Sequence, residues 1–123
     1  MGDKHQAAEF WEKLINIDSQ NKKAFEKLAE HREAIGDYRA QAEILEQWYE
    51  VDKRNTIVIK NLAKAYEKIK NKEKSLEFYN KFLSVAPVNE DYQAIQEKIK
   101  KLENTEMQED VGLIGKIMKL FSK

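Results

Sequence analysis

His5 and Glu9 stand one helical turn apart near the start of the chain, and His31 directly follows Glu30. An imidazole and a carboxylate at that spacing are the least from which a metal site or an acid–base pair can be built. Two ligands on a solvated helix are only half a metal site, and His31 reads as a surface residue. The sequence has no glycine-rich phosphate loop, no HExxH and no aspartate-dense calcium loop, and these are the short motifs that would announce a reaction. It has no cysteine, which removes thiolate chemistry and disulfides. The many carboxylates alternate with lysines at one-turn spacing, the pattern of a solvated helix face. No catalytic residue, no metal and no cofactor is expected.

The elements that carry these residues are helices. One proline and four glycines occur in 123 residues. Alanine, glutamate, lysine, leucine and glutamine dominate, and no stretch keeps a strand alternation. The fold class is all-α. Lysine plus arginine equals aspartate plus glutamate at 22 each, so overall charge gives no push toward nucleic acid. No aromatic platform accompanies the lysines, and nucleic acid is not expected as a partner. The segment MGDKHQAAEF lacks the apolar core of a signal peptide. No apolar run approaches the roughly 20 residues that span a bilayer. Absence of cysteine suits a reducing compartment, so the expected location is cytoplasmic, with a peripheral position at the inner face of a membrane open to it.

Slid against itself by 34 residues, the chain matches systematically. Phe25 falls on Ile59, Leu28 on Leu62, Ala29 on Ala63, Leu45 on Tyr79, Trp48 on Phe82 and Asn55 on Asn89. One step back, Trp11 pairs with Leu45, Ile17 with Val51 and Asn21 with Asn55. Each unit reads as two helices. In the unit 56–89 a first helix spans about Thr56 to Ile69, Asn71-Lys72 turns, and a second helix runs from about Glu73 until Pro87 stops it. The unit 22–55 has helices over Phe25–Ile35 and Tyr38 to about Val51, with Gly36-Asp37 between them.

The stretches IKNLAKAYEKIKNKEKSLEFYNKFLSVAP and FEKLAEHREAIGDYRAQAEILEQWYEVDK resemble the tetratricopeptide repeat, and the resemblance covers about Gly2 to Asn89. Arg32 stands where the pattern has an aromatic, Lys53 replaces the proline, and Trp48 and Phe82 occupy places where a small residue is usual. Two bulky residues there are expected to widen the helix spacing. The resemblance implies a right-handed α-solenoid whose concave wall is lined by the first helix of each unit. Some members grip acidic chain ends with a lysine–asparagine clamp. Asn61 falls on the clamp's central asparagine, but Glu26 and Glu30 stand where it has lysine and asparagine, and two acids there repel a carboxylate.

The segment 2–21 is half a unit, its partner helix absent. It reads either as a free-standing cap or as the start of a piece cut from a larger regulatory or secretion-associated protein. Ala7, Ala8, Trp11 and Ile15 are candidates for an exposed apolar stripe, a route to self-association through the solenoid end. Residues 90–103 read as a capping helix with one apolar seam, Tyr92, Ile95, Ile99 and Leu102. Residues 105–110 read as an acidic linker.

The polar arcs of the first helices are the candidate peptide-binding groove: Lys23 and Lys27 in one unit, Lys60, Asn61, Lys64 and Lys68 in the next. A basic floor could hold an acidic peptide through charge-assisted hydrogen bonds. The tail, 111–123, is a second candidate surface. On a helical wheel Val111, Leu113, Ile114, Ile117, Met118, Leu120 and Phe121 fill one half, while Lys116, Lys119 and Lys123 lie in the other. Asp110 is placed to cap it. Burying seven such side chains contributes on the order of 10 kcal/mol before ordering costs, whereas a thirteen-residue helix is marginal alone. The tail is expected to order on docking against an anionic membrane surface, a partner or another copy, or the chain's own solenoid. The function expected is non-enzymatic protein–protein interaction, as an adaptor or scaffold. An enzyme or a metal protein is the reading from another class.

Overall fold

The computed structural model describes residues 2–121, with side chains for residues 4–104 and 112–121. Among the described residues six helices follow in order: α1 Gly2–Ile17, α2 Lys22–Ala34, α3 Tyr38–Val51, α4 Thr56–Lys68, α5 Lys72–Val85 and α6 Glu90–Leu120. Each packs against the next in the chain, the neighbour-to-neighbour order of an α-solenoid. No strand occurs among the described residues.

The repeat is written into the helix ends. Asn21, Asn55 and Asn89, one repeat apart, cap α2, α4 and α6. Their side chains accept from the backbone N–H groups of Ala24, Val58 and Tyr92 at 3.0, 3.3 and 3.1 Å. Asp37 and Asn71 cap α3 and α5 in the same way, accepting from Ala40 and Lys74, each at 3.1 Å. Such caps satisfy amide groups that a helix start leaves without partners. Before each of these two stands a left-handed residue, Gly36 at φ 76° and Lys70 at φ 65°, ending the helix. The turn expected at Asn71-Lys72 therefore falls earlier, at Ile69-Lys70, because Asn71 is the cap. A side chain at left-handed φ is strained and glycine is not. Lys70→Gly is expected to raise stability by about 1 kcal/mol, read from the urea midpoint; a fall in the midpoint would contradict this account of the turn.

Phe25, Leu28, Leu45, Val58, Ile59, Leu62 and Tyr79 are almost wholly buried. Where α4 crosses α5 the fully buried Ser75 donates its hydroxyl to the Ala63 carbonyl at 2.9 Å, so the small polar side chain is satisfied. Both bulky departures from the repeat pattern are core residues. Trp48 stacks on Phe25 with ring centres 6.2 Å apart, and Phe82 is 4 % exposed.

Arg32 has a structural explanation. Its guanidinium donates to Glu12 on α1 at 3.1 Å and to the Ala40 carbonyl on α3 at 3.1 Å. One repeat on, the Tyr66 hydroxyl donates to Glu46, the residue 34 places after Glu12. Different chemistry thus makes the same tether to the preceding helix. Tyr79 likewise donates to Glu67 at 2.8 Å. Burial, then the carboxylate partner, push the phenols of Tyr66 and Tyr79 well above the ordinary tyrosine range.

Two expectations are corrected. On α1, Ala8 and Ile15 are buried in the core and Trp11 packs beside them, because that stripe faces α2. Of the expected stripe only Ala7 is exposed; the large exposed apolar residues of α1 are Phe10 and Ile17, at 57 % and 85 %. At the other end, 105–110 is not a break: α6 runs 31 residues through it, and Asp110 lies inside a helix rather than at its start. The segment TEMQED holds no glycine or proline, and glutamate, glutamine and methionine are good helix formers. A polar, acidic composition does not by itself stop a helix. Ile95 and Ile99 of α6 are buried and Leu102 packs beside the core, whereas residues 112–121 are all exposed. The tail does not fold back on the solenoid. Val111, Ser122 and Lys123, which the expected tail included, lie outside the residues whose side chains are described.

Candidate peptide-binding groove

The apolar faces of α2 and α4 turn into the core, so their polar arcs are left for a ligand. Lys23, Glu26 and Glu30 on α2 are exposed, and Lys27 is half-buried with its ammonium 3.7 Å from Glu30. On α4, Lys64 is exposed, Asn61 is half-buried, and Lys68 lies over the Tyr38 ring at 5.8 Å. Lys60 is drawn toward α6, where it meets Asp91 at 3.8 Å. A second pair spans the same two helices, Lys98 to Glu67 at 2.8 Å.

The structure therefore sorts the six groove residues expected from sequence. Lys27, Lys60 and Lys68 have partners on the protein itself, while Lys23 and Lys64 present their charges to solvent. The basic floor is narrower than the sequence implied. Sequence reasoning missed Asp91 and Lys98, because it treated the start of α6 as a cap rather than as a third groove helix. A signal was present. Lys60 and Asp91, and Glu67 and Lys98, are opposite charges at the same separation of 31 residues, about one helical turn short of the 34-residue repeat, so each partner stands one turn earlier on the next first helix.

Next to the Lys60–Asp91 pair lies a shallow cleft lined by Thr56, Ile57, Lys60, Phe82, Pro87 and Asp91. Ile57 is 65 % exposed at its edge, and Phe82 forms apolar lining. An apolar wall beside a lysine and an aspartate offers a seat for one anchoring side chain of an extended peptide. Among the described residues no group of three or more His, Cys, Asp or Glu side chains could hold a metal. His5 and His31 do meet, edge to face at 5.9 Å across α1 and α2.

Helix pairs stacked in one direction, with a polar concave wall, define the class of helical-repeat interaction proteins. Residues 61–89 match the family model described as Tetratricopeptide repeat. This segment is thus a tetratricopeptide repeat, and the same caps and turns recur in the preceding unit. Among solved structures it is similar to the first tetratricopeptide domain of Spaghetti (RPAP3) bound to an HSP90 peptide, SRMEEVD. Identity there is 13 %, the TM-score is 0.68, and the match covers 85 % of this chain and 80 % of that one. It is also similar to MamA, at 16 % identity and TM-score 0.65 over 87 % of this chain and 71 % of that one. A type III secretion complex from Aeromonas hydrophila aligns at 15 % identity and TM-score 0.66, covering 89 % and 73 %. At these identities the likeness is one of fold. No curated protein matches by sequence.

Proposed function

We propose that this chain is a non-enzymatic adaptor of the cytoplasm that holds an extended peptide segment of a partner protein along the polar arcs of α2, α4 and the start of α6. The observation that carries this reading is the groove itself. Lys23 and Lys64 are exposed cations on successive first helices, with an apolar-walled cleft at Ile57 and Phe82 beyond them. An exposed lysine gains most from a carboxylate it can hydrogen-bond, so the ligand is an acidic peptide with one apolar anchor. The RPAP3 domain, which shares the fold, was solved with a peptide carrying two glutamates and an aspartate. Glu26 and Glu30 on α2 limit the parallel, because they would repel acids placed over that helix. The acids of the ligand are therefore expected over α4. Selection on the full chain from a displayed library of random peptides tests this. Enrichment of peptides with clustered acids and one large apolar residue supports the reading, and enrichment of basic peptides would reverse it.

A further inference from the structure

The end of α6 from Leu113 to Leu120, with its C-cap Phe121, groups more exposed large apolar side chains than any other segment among the described residues. Leu113, Ile114, Ile117, Met118, Leu120 and Phe121 are 58, 56, 45, 66, 77 and 83 % exposed, with no packing partner in the solenoid core. We propose that this end of α6 lies in the surface of an anionic lipid bilayer.

Three observations favour a bilayer over a second protein surface. The first is the width of the apolar face. At about 100° per residue the six side chains span roughly half the helix circumference, wider than the stripe a single facing helix covers. A flat apolar half-space covers all of it, and a helix divided in this way suits the boundary between headgroups and acyl chains. The second is charge. Lys116 and Lys119 lie in the opposite half, and 111–123 contains no acid. The stretch just before it, 103–110, carries Glu103, Glu106, Glu109 and Asp110. An anionic surface attracts the first set and repels the second, so contact begins where the acids end. The third is the placement of glycine. Helices that pair closely put small residues at the contact. Gly112 and Gly115 lie outside the apolar face, and a Cβ at either would meet nothing within 4 Å. The apolar face itself therefore holds no small residue of the kind that seats a closely packed helix.

The end of the helix is too short to cross. Thirteen residues span about 20 Å against a hydrocarbon core of about 30 Å, and among the described residues no helix is long and apolar enough for a membrane span. The binding is peripheral. Because α6 also packs its first turns on α5, one continuous helix joins the lipid contact to the groove wall.

The test uses the full chain with vesicles of phosphatidylcholine mixed with phosphatidylglycerol, and with vesicles of phosphatidylcholine alone, in a flotation assay. The chain is expected to float with the mixed vesicles and only weakly with the neutral ones. Ile117→Asp and, separately, Leu113→Asp should abolish flotation and leave the melting temperature unchanged, since both side chains are exposed. Lys116→Gln with Lys119→Gln should weaken it roughly 30-fold, from about fivefold per lysine near an anionic surface. Three results would overturn the proposal. One is flotation that ignores Ile117→Asp. Another is a wild-type dimer by sedimentation equilibrium that this substitution turns into a monomer without any lipid binding. The third is a fall in melting temperature for both variants, which would place the tail on the solenoid.

Discussion

Leu62→Ala is expected to lower the unfolding free energy by about 3 kcal/mol and the melting temperature by roughly 10–15 °C. Leu62 has no exposed surface and sits on α4, which packs against α3 on one side and α5 on the other. A solenoid holds itself together only through neighbours. A cavity in α4 therefore weakens two interfaces of a chain with no alternative core to retreat to. Calorimetry or urea unfolding measures the loss. Leu102→Ala, at the half-buried margin of the core on α6, should cost clearly less. Equal losses at the two sites would mean that the stack does not have its stability centred on α4.

Lys64→Glu is expected to weaken binding of a selected acidic peptide by tenfold or more while leaving the melting temperature where it was. A hydrogen bond to a charged group contributes about 1.5–3 kcal/mol, and reversal adds repulsion. Lys60→Glu should weaken binding less, because that ammonium already faces Asp91 at 3.8 Å. It should also destabilise the protein slightly, by setting a second carboxylate against Asp91. The loss is small because an exposed pair of this kind contributes at most about 1 kcal/mol. Fluorescence anisotropy with a labelled peptide gives the ranking. If Lys60→Glu proves the more damaging of the two for binding, the Lys60–Asp91 pair opens for the ligand and the present assignment of cations is wrong.

The fold was legible because the repeat is redundant. Asn21, Asn55 and Asn89 recur at one spacing, as do Leu28 and Leu62, and Ala29 and Ala63, so each position is argued from more than one place. Caps such as Asn71 were harder to place. A turn residue and an N-cap draw on the same amino acids, and only the left-handed Lys70 before Asn71 separates the two. Continuity of α6 was hidden for a similar reason, since Glu106, Gln108 and Glu109 suit a solvated helix as well as a linker. The groove was only partly legible. Polar arcs follow from helical spacing, and Lys23, Lys60, Asn61 and Lys64 all fall on them. Which lysines are spent on the protein itself depends on contacts between units. Those contacts become visible only when Lys60 is set beside Asp91, and Glu67 beside Lys98, on adjoining helices.

Amide chemical-shift mapping of a library-selected acidic peptide on the full chain tests the central claim most directly. The groove reading predicts that the largest shifts fall on Lys23, Asn61 and Lys64, with Ile57 and Asp91 at the cleft and Lys98 further along α6. Shifts centred on α3 and α5, around Gln47, Glu50 and Asn80, or on the tail beyond Gly112, would contradict it.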